Sequence, residues 1–121
     1  MQIKRLILIV DDNKLLTDAL QILLEDDGHT VICCHNGLDA IELSKKQNFD
    51  VVLTDYRMTD MKGDVVCKLL RFHRPDVFLI GCSTDNQDKD FLRAGADIFI
   101  RKDQLVQDLP LLMQSEITDR I

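Results

Sequence analysis

The stretch 51-VVLTDYRMTDMKG-63 sets an apolar run directly against a lone carboxylate. Val51 to Thr54 read as a β-strand, and Asp55 falls where that strand ends. A strand without polar alternation is buried on both faces, which points to a parallel sheet with helices on either side. The loop runs to Gly63 and leads into a helix over 64–73, closed by Arg74-Pro75.

The same alternation recurs along the whole chain. LILIV (6–10) is a first strand ending in Asp11-Asp12, and Asn13 caps a helix that carries Leu15, Leu16, Ala19, Leu20 and Leu23 on one side. Gly28 stops that helix, and TVICC (30–34) is the second strand. Asn36 caps a helix expected to face Leu38, Ile41 and Ser44 inward. VFLIGC (77–82) is the fourth strand, followed by a short helix near 88–93 that ends at Ala94-Gly95, and DIFI (97–100) is the fifth. Leu105, Leu109, Leu112, Met113 and Ile117 keep helical spacing through Pro110. Proline is harmless only in the first turn, so this last regular helix is expected to start near Val106 to Asp108.

Five strand–helix units imply right-handed crossovers and an open α/β fold. The expected architecture is a doubly wound, five-stranded parallel sheet of order 2-1-3-4-5, a flavodoxin-like (βα)5 three-layer sandwich, formed by residues 1–121 as one domain. That order sets the first and third strands side by side where the winding reverses. Ligands in such sheets bind beyond the strand carboxyl ends at this point.

Composition narrows the possible functions. The 121 residues include 15 basic and 21 acidic side chains, a formal charge of -6, which argues against direct nucleic-acid contact. No apolar run approaches the roughly 18 residues of a membrane span, and the expected setting is soluble and cytoplasmic. Cys33, Cys34, Cys67 and Cys82 form no C-x-x-C pair and have no histidine at zinc-ligand spacing; they are expected to be small reduced core residues. Cys33 and Cys34, being adjacent on a strand, point to opposite faces.

Asp11, Asp12 and Asp55 end two strands expected to lie about 4.8 Å apart, so three carboxylates converge on one crevice. Like charges this close resist joint ionisation without a cation, and an all-oxygen set with room for water suits Mg²⁺, with Mn²⁺ as a substitute. The fourth strand ends in Ser83 and Thr84, and the fifth leads to Lys102 on the same rim. A metal, a carboxylate nucleophile, a hydroxyl and an ammonium together match phosphoryl transfer to an aspartate. Taken singly each has a plainer explanation: helix capping for the acidic pair, turn chemistry for Ser83, a solvated surface position for Lys102. The combination, on four strand ends in this chain order, carries the reading.

LILIVDDN, DVVLTDYRM and GADIFIRK together resemble the receiver domain of two-component response regulators, over essentially the whole chain. The resemblance implies that Asp55 is the phosphoacceptor, that Asp12 ligates Mg²⁺ directly and Asp11 partly through water, and that the backbone carbonyl of Arg57 is a further ligand. It also implies that Ser83 is the switch hydroxyl, Lys102 the phosphate partner and Phe99 the switch aromatic. Such a module takes its phosphoryl group from a sensor histidine kinase or a histidine phosphotransfer protein and catalyses only its own phosphorylation and dephosphorylation. It signals to an effector domain or protein, as a monomer or as a phosphorylation-dependent dimer.

Several positions depart from the family. Thr84 stands where Ala or Gly is usual, Thr59 replaces a common proline, and Asp103 follows Lys102 where a proline is usual. A trans bond is expected before Asp103, since a non-proline cis bond costs about 3 kcal/mol. The segment from Ser83 to Gly95 is short, so the fourth helix should have only about two turns. Arg57 and Asp85, in loops over the same crevice, are expected to pair across its mouth and tune access. Rival readings are a pseudo-receiver that is never phosphorylated and an aspartate-nucleophile phosphatase. The latter usually spaces its acids D-x-D, which VDDNK does not. A flavin-binding domain of similar architecture lacks support, since no Gly-rich phosphate loop follows the first strand.

Overall fold

Side chains on the central strands alternate between two separate cores. In this computed structural model, which describes residues 2–115, the strands are β1 (Leu6–Val10), β2 (Thr30–Cys34), β3 (Val51–Asp55), β4 (Phe78–Ser83) and β5 (Ile98–Arg101). The helices are α1 (Lys14–Asp26), α2 (Gly37–Lys46), α3 (Gly63–His73), α4 (Asp88–Arg93) and α5 (Leu105–Met113). All strand pairs are parallel and the order is β2-β1-β3-β4-β5, as the sequence implies. Leu8, Val10, Val52 and Leu79 pack with α2, α3 and α4, whereas Ile7, Ile9, Leu53 and Ile80 pack with α1 and α5. Cys34 joins the first core and Cys33 lies against the second, and all four cysteines are free.

Local chemistry fixes most element ends. The Asn13 side chain accepts from Leu16 N and that of Asn36 from Asp39 N, each capping its helix. Gly28 (φ 96°) and Gly95 (φ 104°) take the left-handed conformation that releases the chain after α1 and α4. α4 is confined to Asp88–Arg93, the short helix anticipated, and no cis peptide bond occurs among the described residues.

Some expectations need correction. β4 and β5 are each shifted one residue later than the apolar runs suggested, and β3 extends through Asp55 itself. Leu15 (84% exposed) and Ala19 face solvent rather than the core. The inward stripe of α1 is Leu16, Thr17, Leu20 and Leu24, because Thr17 is buried with its hydroxyl satisfied by Lys14 O at 3.1 Å. In α2, Ile41 and Ser44 are buried as expected but Leu38 is 57% exposed. Gly37 and Ala40 complete the buried stripe instead. α5 begins at Leu105, after a 3₁₀ turn over Lys102–Gln104, so Pro110 lies beyond the first turn. The intrahelical donor it removes would have served Val106 O, on an exposed residue. Ile117 lies outside the described residues.

Phe91 of α4 is fully buried and lies flat on Gly81 of β4, where a Cβ would stand 2.2 Å from its Cγ. Gly81→Ala is therefore expected to destabilise the fold by about 1–3 kcal/mol, the usual range for overpacking a core. A lowered urea midpoint with an unchanged m-value checks this.

Candidate functional site

β1 and β3 are neighbours at the centre of the sheet, and both run out into carboxylates at the same edge. Asp11 follows β1 and is 2% exposed, and Asp55 closes β3 and is 4% exposed. In each, one oxygen is tied to nearby backbone: Asp11 Oδ1 accepts from Asn13 N at 2.9 Å, and Asp55 Oδ1 from Tyr56 N at 2.8 Å. The other oxygen of each faces Lys102, whose Nζ lies 2.9 Å from Asp11 Oδ2 and 3.2 Å from Asp55 Oδ2. Asp12 sits beside them on the exposed rim.

The electrostatics follow from burial and charge count. Burial, then the neighbouring Asp11 carboxylate, push the Asp55 carboxyl above its ordinary value, against the opposing pull of Lys102. For Lys102 burial works to lower the value, but Asp11 and then Asp55 prevail and hold its ammonium above the usual range. One ammonium thus serves two buried carboxylates, leaving a net negative crevice.

A divalent cation fits these residues. Carboxylate oxygens of Asp11 and Asp55 and the Cys82 sulfur lie within 4.8 Å of one another. Asp11 Oδ2 is buried, and among the described residues the Lys102 ammonium at 2.9 Å is the one group that meets it. Burial, then the Asp55 and Asp11 charges, push the Cys82 thiol well up, and its soft sulfur is a poor match for the hard cations that carboxylates bind. What remains is a hard, oxygen-only donor set suited to Mg²⁺ or Mn²⁺. Asp11 and Asp55 are placed to hold such an ion.

The remaining candidates surround this centre. Ser83 is buried at the end of β4, its hydroxyl accepting from Asp85 N at 3.1 Å, while Thr84 is exposed. Arg57 Nη2 and Asp85 Oδ2 meet at 3.1 Å across the mouth, with side chains 66% and 54% exposed. The pair expected from the sequence is therefore formed. Phe99 is half-buried opposite Gly81, with its ring centroid 5.9 Å from that of Phe91. Tyr56 meets Phe91 edge-on at 5.7 Å, so an aromatic chain runs from the residue after Asp55 to β5.

Sequence reasoning did not single out Tyr56, Phe91 or Asp60. Phe91 carries no signal in the sequence beyond its apolar character. Asp60 caps α2 from 23 residues away, a pairing that leaves no local pattern in the sequence.

An open parallel sheet with an acidic crevice at its β1/β3 reversal defines the class of doubly wound α/β proteins that bind ligands at the strand ends. Within that class, the model of the response regulator receiver domain matches residues 7–114, and the chain belongs to that family. Solved structures share the fold. The receiver domain of Francisella response regulator 1452 superposes with a TM-score of 0.83 at 22% identity, covering 90% of this chain and 93% of that one. The response regulator TrrA of Thermotoga maritima, in complex with Mg²⁺-BeF, gives 0.82 at 24% identity, covering 89% and 95%. The receiver domain of the sensor histidine kinase PA1611 of Pseudomonas aeruginosa, with a magnesium ion coordinated in its active-site cleft, gives 0.83 at 21% identity, covering 93% and 96%. Among the described residues, no helix is long and apolar enough to cross a membrane.

Asp55 is protonated more readily in the folded chain than in the unfolded one, so its ionisation as pH rises from the ordinary 3.8 works against folding. Asp55→Asn, isosteric and neutral, is expected to melt higher than the parent at neutral pH in metal-free buffer. The gap should close as the pH falls below the ordinary 3.8, where the parent carboxyl becomes protonated in both states. A lower melting temperature for Asp55→Asn at neutral pH would mean that the attraction of Lys102 dominates instead.

Proposed function

We propose that this receiver accepts a phosphoryl group on Asp55 from the phosphohistidine of a sensor histidine kinase or histidine phosphotransfer protein, in a Mg²⁺-dependent reaction, and thereby switches its output face. The observation that carries the reading is the buried Asp55 carboxylate at the end of β3, beside Asp11 and within 3.2 Å of the Lys102 ammonium. The Mg²⁺ complexes of TrrA and of the PA1611 receiver support the metal assignment.

In the reaction, a carboxylate oxygen of Asp55 attacks phosphorus, forming the O–P bond as the N–P bond to the donor imidazole breaks. The departing nitrogen takes a proton from solvent. The Lys102 ammonium offsets charge on the equatorial oxygens, and the Ser83 hydroxyl can donate to one of them. A bound Mg²⁺ would supply further charge neutralisation at the phosphoryl group. Asp11, Asp12, Asp55 and the Arg57 carbonyl would hold the ion, and exposed Thr84 would border the phosphoryl group. The protein acts on no further substrate.

The product carries added negative charge and new acceptor oxygens. Ser83 turns toward them, giving up its bond from Asp85 N, and Phe99 moves into the space released. Phe91 already covers Gly81 on that side of β4, so the inward movement of Phe99 entails a shift of α4. A downstream effector domain or protein reads the altered α4–β5 face, the receiver acting as a monomer or as a phosphorylation-dependent dimer in the cytoplasm.

Incubation with Mg²⁺ and a small phosphodonor, followed by intact mass, should show a gain of one phosphoryl group that is absent in Asp55→Asn. No incorporation from any donor would instead leave a phosphorylation-independent interaction module, and steady turnover of unrelated phosphoesters would indicate a phosphatase. The Arg57–Asp85 pair is solvent-exposed and contributes about 0–1 kcal/mol to stability. Arg57→Ala and Asp85→Ala should each alter the dephosphorylation rate, and the double variant should fall short of their sum. Strict additivity would show that the two act separately.

A further inference from the structure

The loop after Asp55 is fastened to a helix on the neighbouring strand connection. Asp60 Oδ1 accepts the N–H of Gly37 at 2.9 Å, and its Oδ2 accepts that of Leu38 at 2.8 Å. These residues open α2, where backbone donors have no partner within the helix. Asn36 serves the next two positions, its side chain accepting from Asp39 N at 2.8 Å and its carbonyl from Ala40 N at 3.3 Å. The α2 N-terminus is therefore fully satisfied only while the loop sits on it.

Packing reinforces the grip. A Cβ at Gly37 would stand 2.4 Å from Met61 Cγ and 2.8 Å from Val66 Cγ2, so Met61 rests directly on the first turn of α2. At the base of the loop, Gly63 N donates to Tyr56 O at 2.7 Å. There a Cβ at Gly63 would stand 2.0 Å from Asp55 O. The span that carries Arg57 is thus closed at its base by Tyr56 and Gly63 and anchored beyond by Asp60.

We propose that Asp60 is a positioning residue for the metal site: by holding the N-terminus of α2 it fixes the loop whose Arg57 backbone carbonyl would serve as a ligand. This rests on the reading that a divalent cation binds at Asp11, Asp12 and Asp55. It adds α2 to the elements on which cation affinity depends, although α2 contributes no ligand.

The chain has one tyrosine and no tryptophan, so Tyr56, adjoining Asp55, is a built-in fluorescent reporter. Its emission can be followed while Mg²⁺ alone is titrated into the parent, Asp60→Ala, Asp60→Asn and Leu38→Pro. Asp60→Ala is expected to weaken Mg²⁺ binding about tenfold, as loss of a group supporting a metal ligand typically does. Asp60→Asn and Leu38→Pro cut the same bond from opposite sides. Each should weaken binding less, and their combination should add nothing to the larger effect. Leu38 is 57% exposed and in the first helical turn, so proline is tolerated there even if Asp60→Ala fails to fold. Hydrogen exchange at Gly37 and Leu38 should quicken in the Asp60 variants. Parent-like Mg²⁺ affinity in the variants, with only a lowered melting temperature, would reduce Asp60 to a structural cap and overturn the proposal while leaving the metal site intact. Absence of Mg²⁺ binding by the parent would overturn both.

Discussion

One ammonium stands between two buried carboxylates, and the architecture of the site depends on that imbalance. Asp11 and Asp55 come from adjacent central strands and are almost wholly removed from water. Ionised together in such a place they repel, and a single lysine offsets only one charge. The Asp55 carboxyl is accordingly held above its ordinary value although Lys102 lies against it. A site in this state favours any added positive charge. The electrostatic cost of the resting site is thus linked to cation binding, which the added negative charge of a phosphoryl group on Asp55 would favour further.

The fold exists around this imbalance because parallel strands deliver their ends to one edge. β1 and β3 supply the acids, β4 supplies Ser83, and β5 turns into a 3₁₀ segment beginning at Lys102. The segments just beyond the strands then couple the crevice to its surroundings in two directions. Toward β2, the loop after Asp55 grips α2 through Asp60. Toward β5, Tyr56, Phe91 and Phe99 form a continuous aromatic contact that is possible because Gly81 has no side chain. The short α4 contributes Phe91, a single fully buried anchor on the face that would carry the output. A rearrangement at Ser83 would therefore meet a packed ring rather than empty space, and under the proposed switch α4 would move with it.

Most of this was legible in the sequence, for reasons that differ by element. The strands were visible because burial on both faces leaves no polar alternation, and the sheet order followed from the repeated strand–helix units. Asp11, Asp55 and Lys102 were legible because strand ends in this topology share one edge. Helix faces were less so. α1 is rich enough in leucine to offer two apolar stripes, and the buried Thr17, whose hydroxyl is satisfied within the helix, decided between them. Leu38 looked inward on spacing alone, but close approach of Met61 to Gly37 set the rotation of α2. The start of α5 was placed late because Pro110 was assigned to a first turn, whereas the helix runs through it from Leu105. Asp60 and Phe91 act through partners distant in the chain, Gly37 and Gly81 respectively, and no local pattern announces such contacts.

The central claim is that the carboxylates around Lys102 form a divalent-cation site at the β1/β3 edge. Titration of Mn²⁺ into isotopically labelled protein, observed by NMR, tests it directly, because the paramagnetic ion broadens amide signals according to their distance from it. Broadening should be strongest at Asp11, Asp12, Asp55 and the Tyr56–Arg57 segment, reach Ser83 and Lys102, and be reversed by excess Mg²⁺. Strongest broadening at another acidic surface, such as Asp26-Asp27 at the far end of α1, or none at the β1 and β3 ends, would contradict the account.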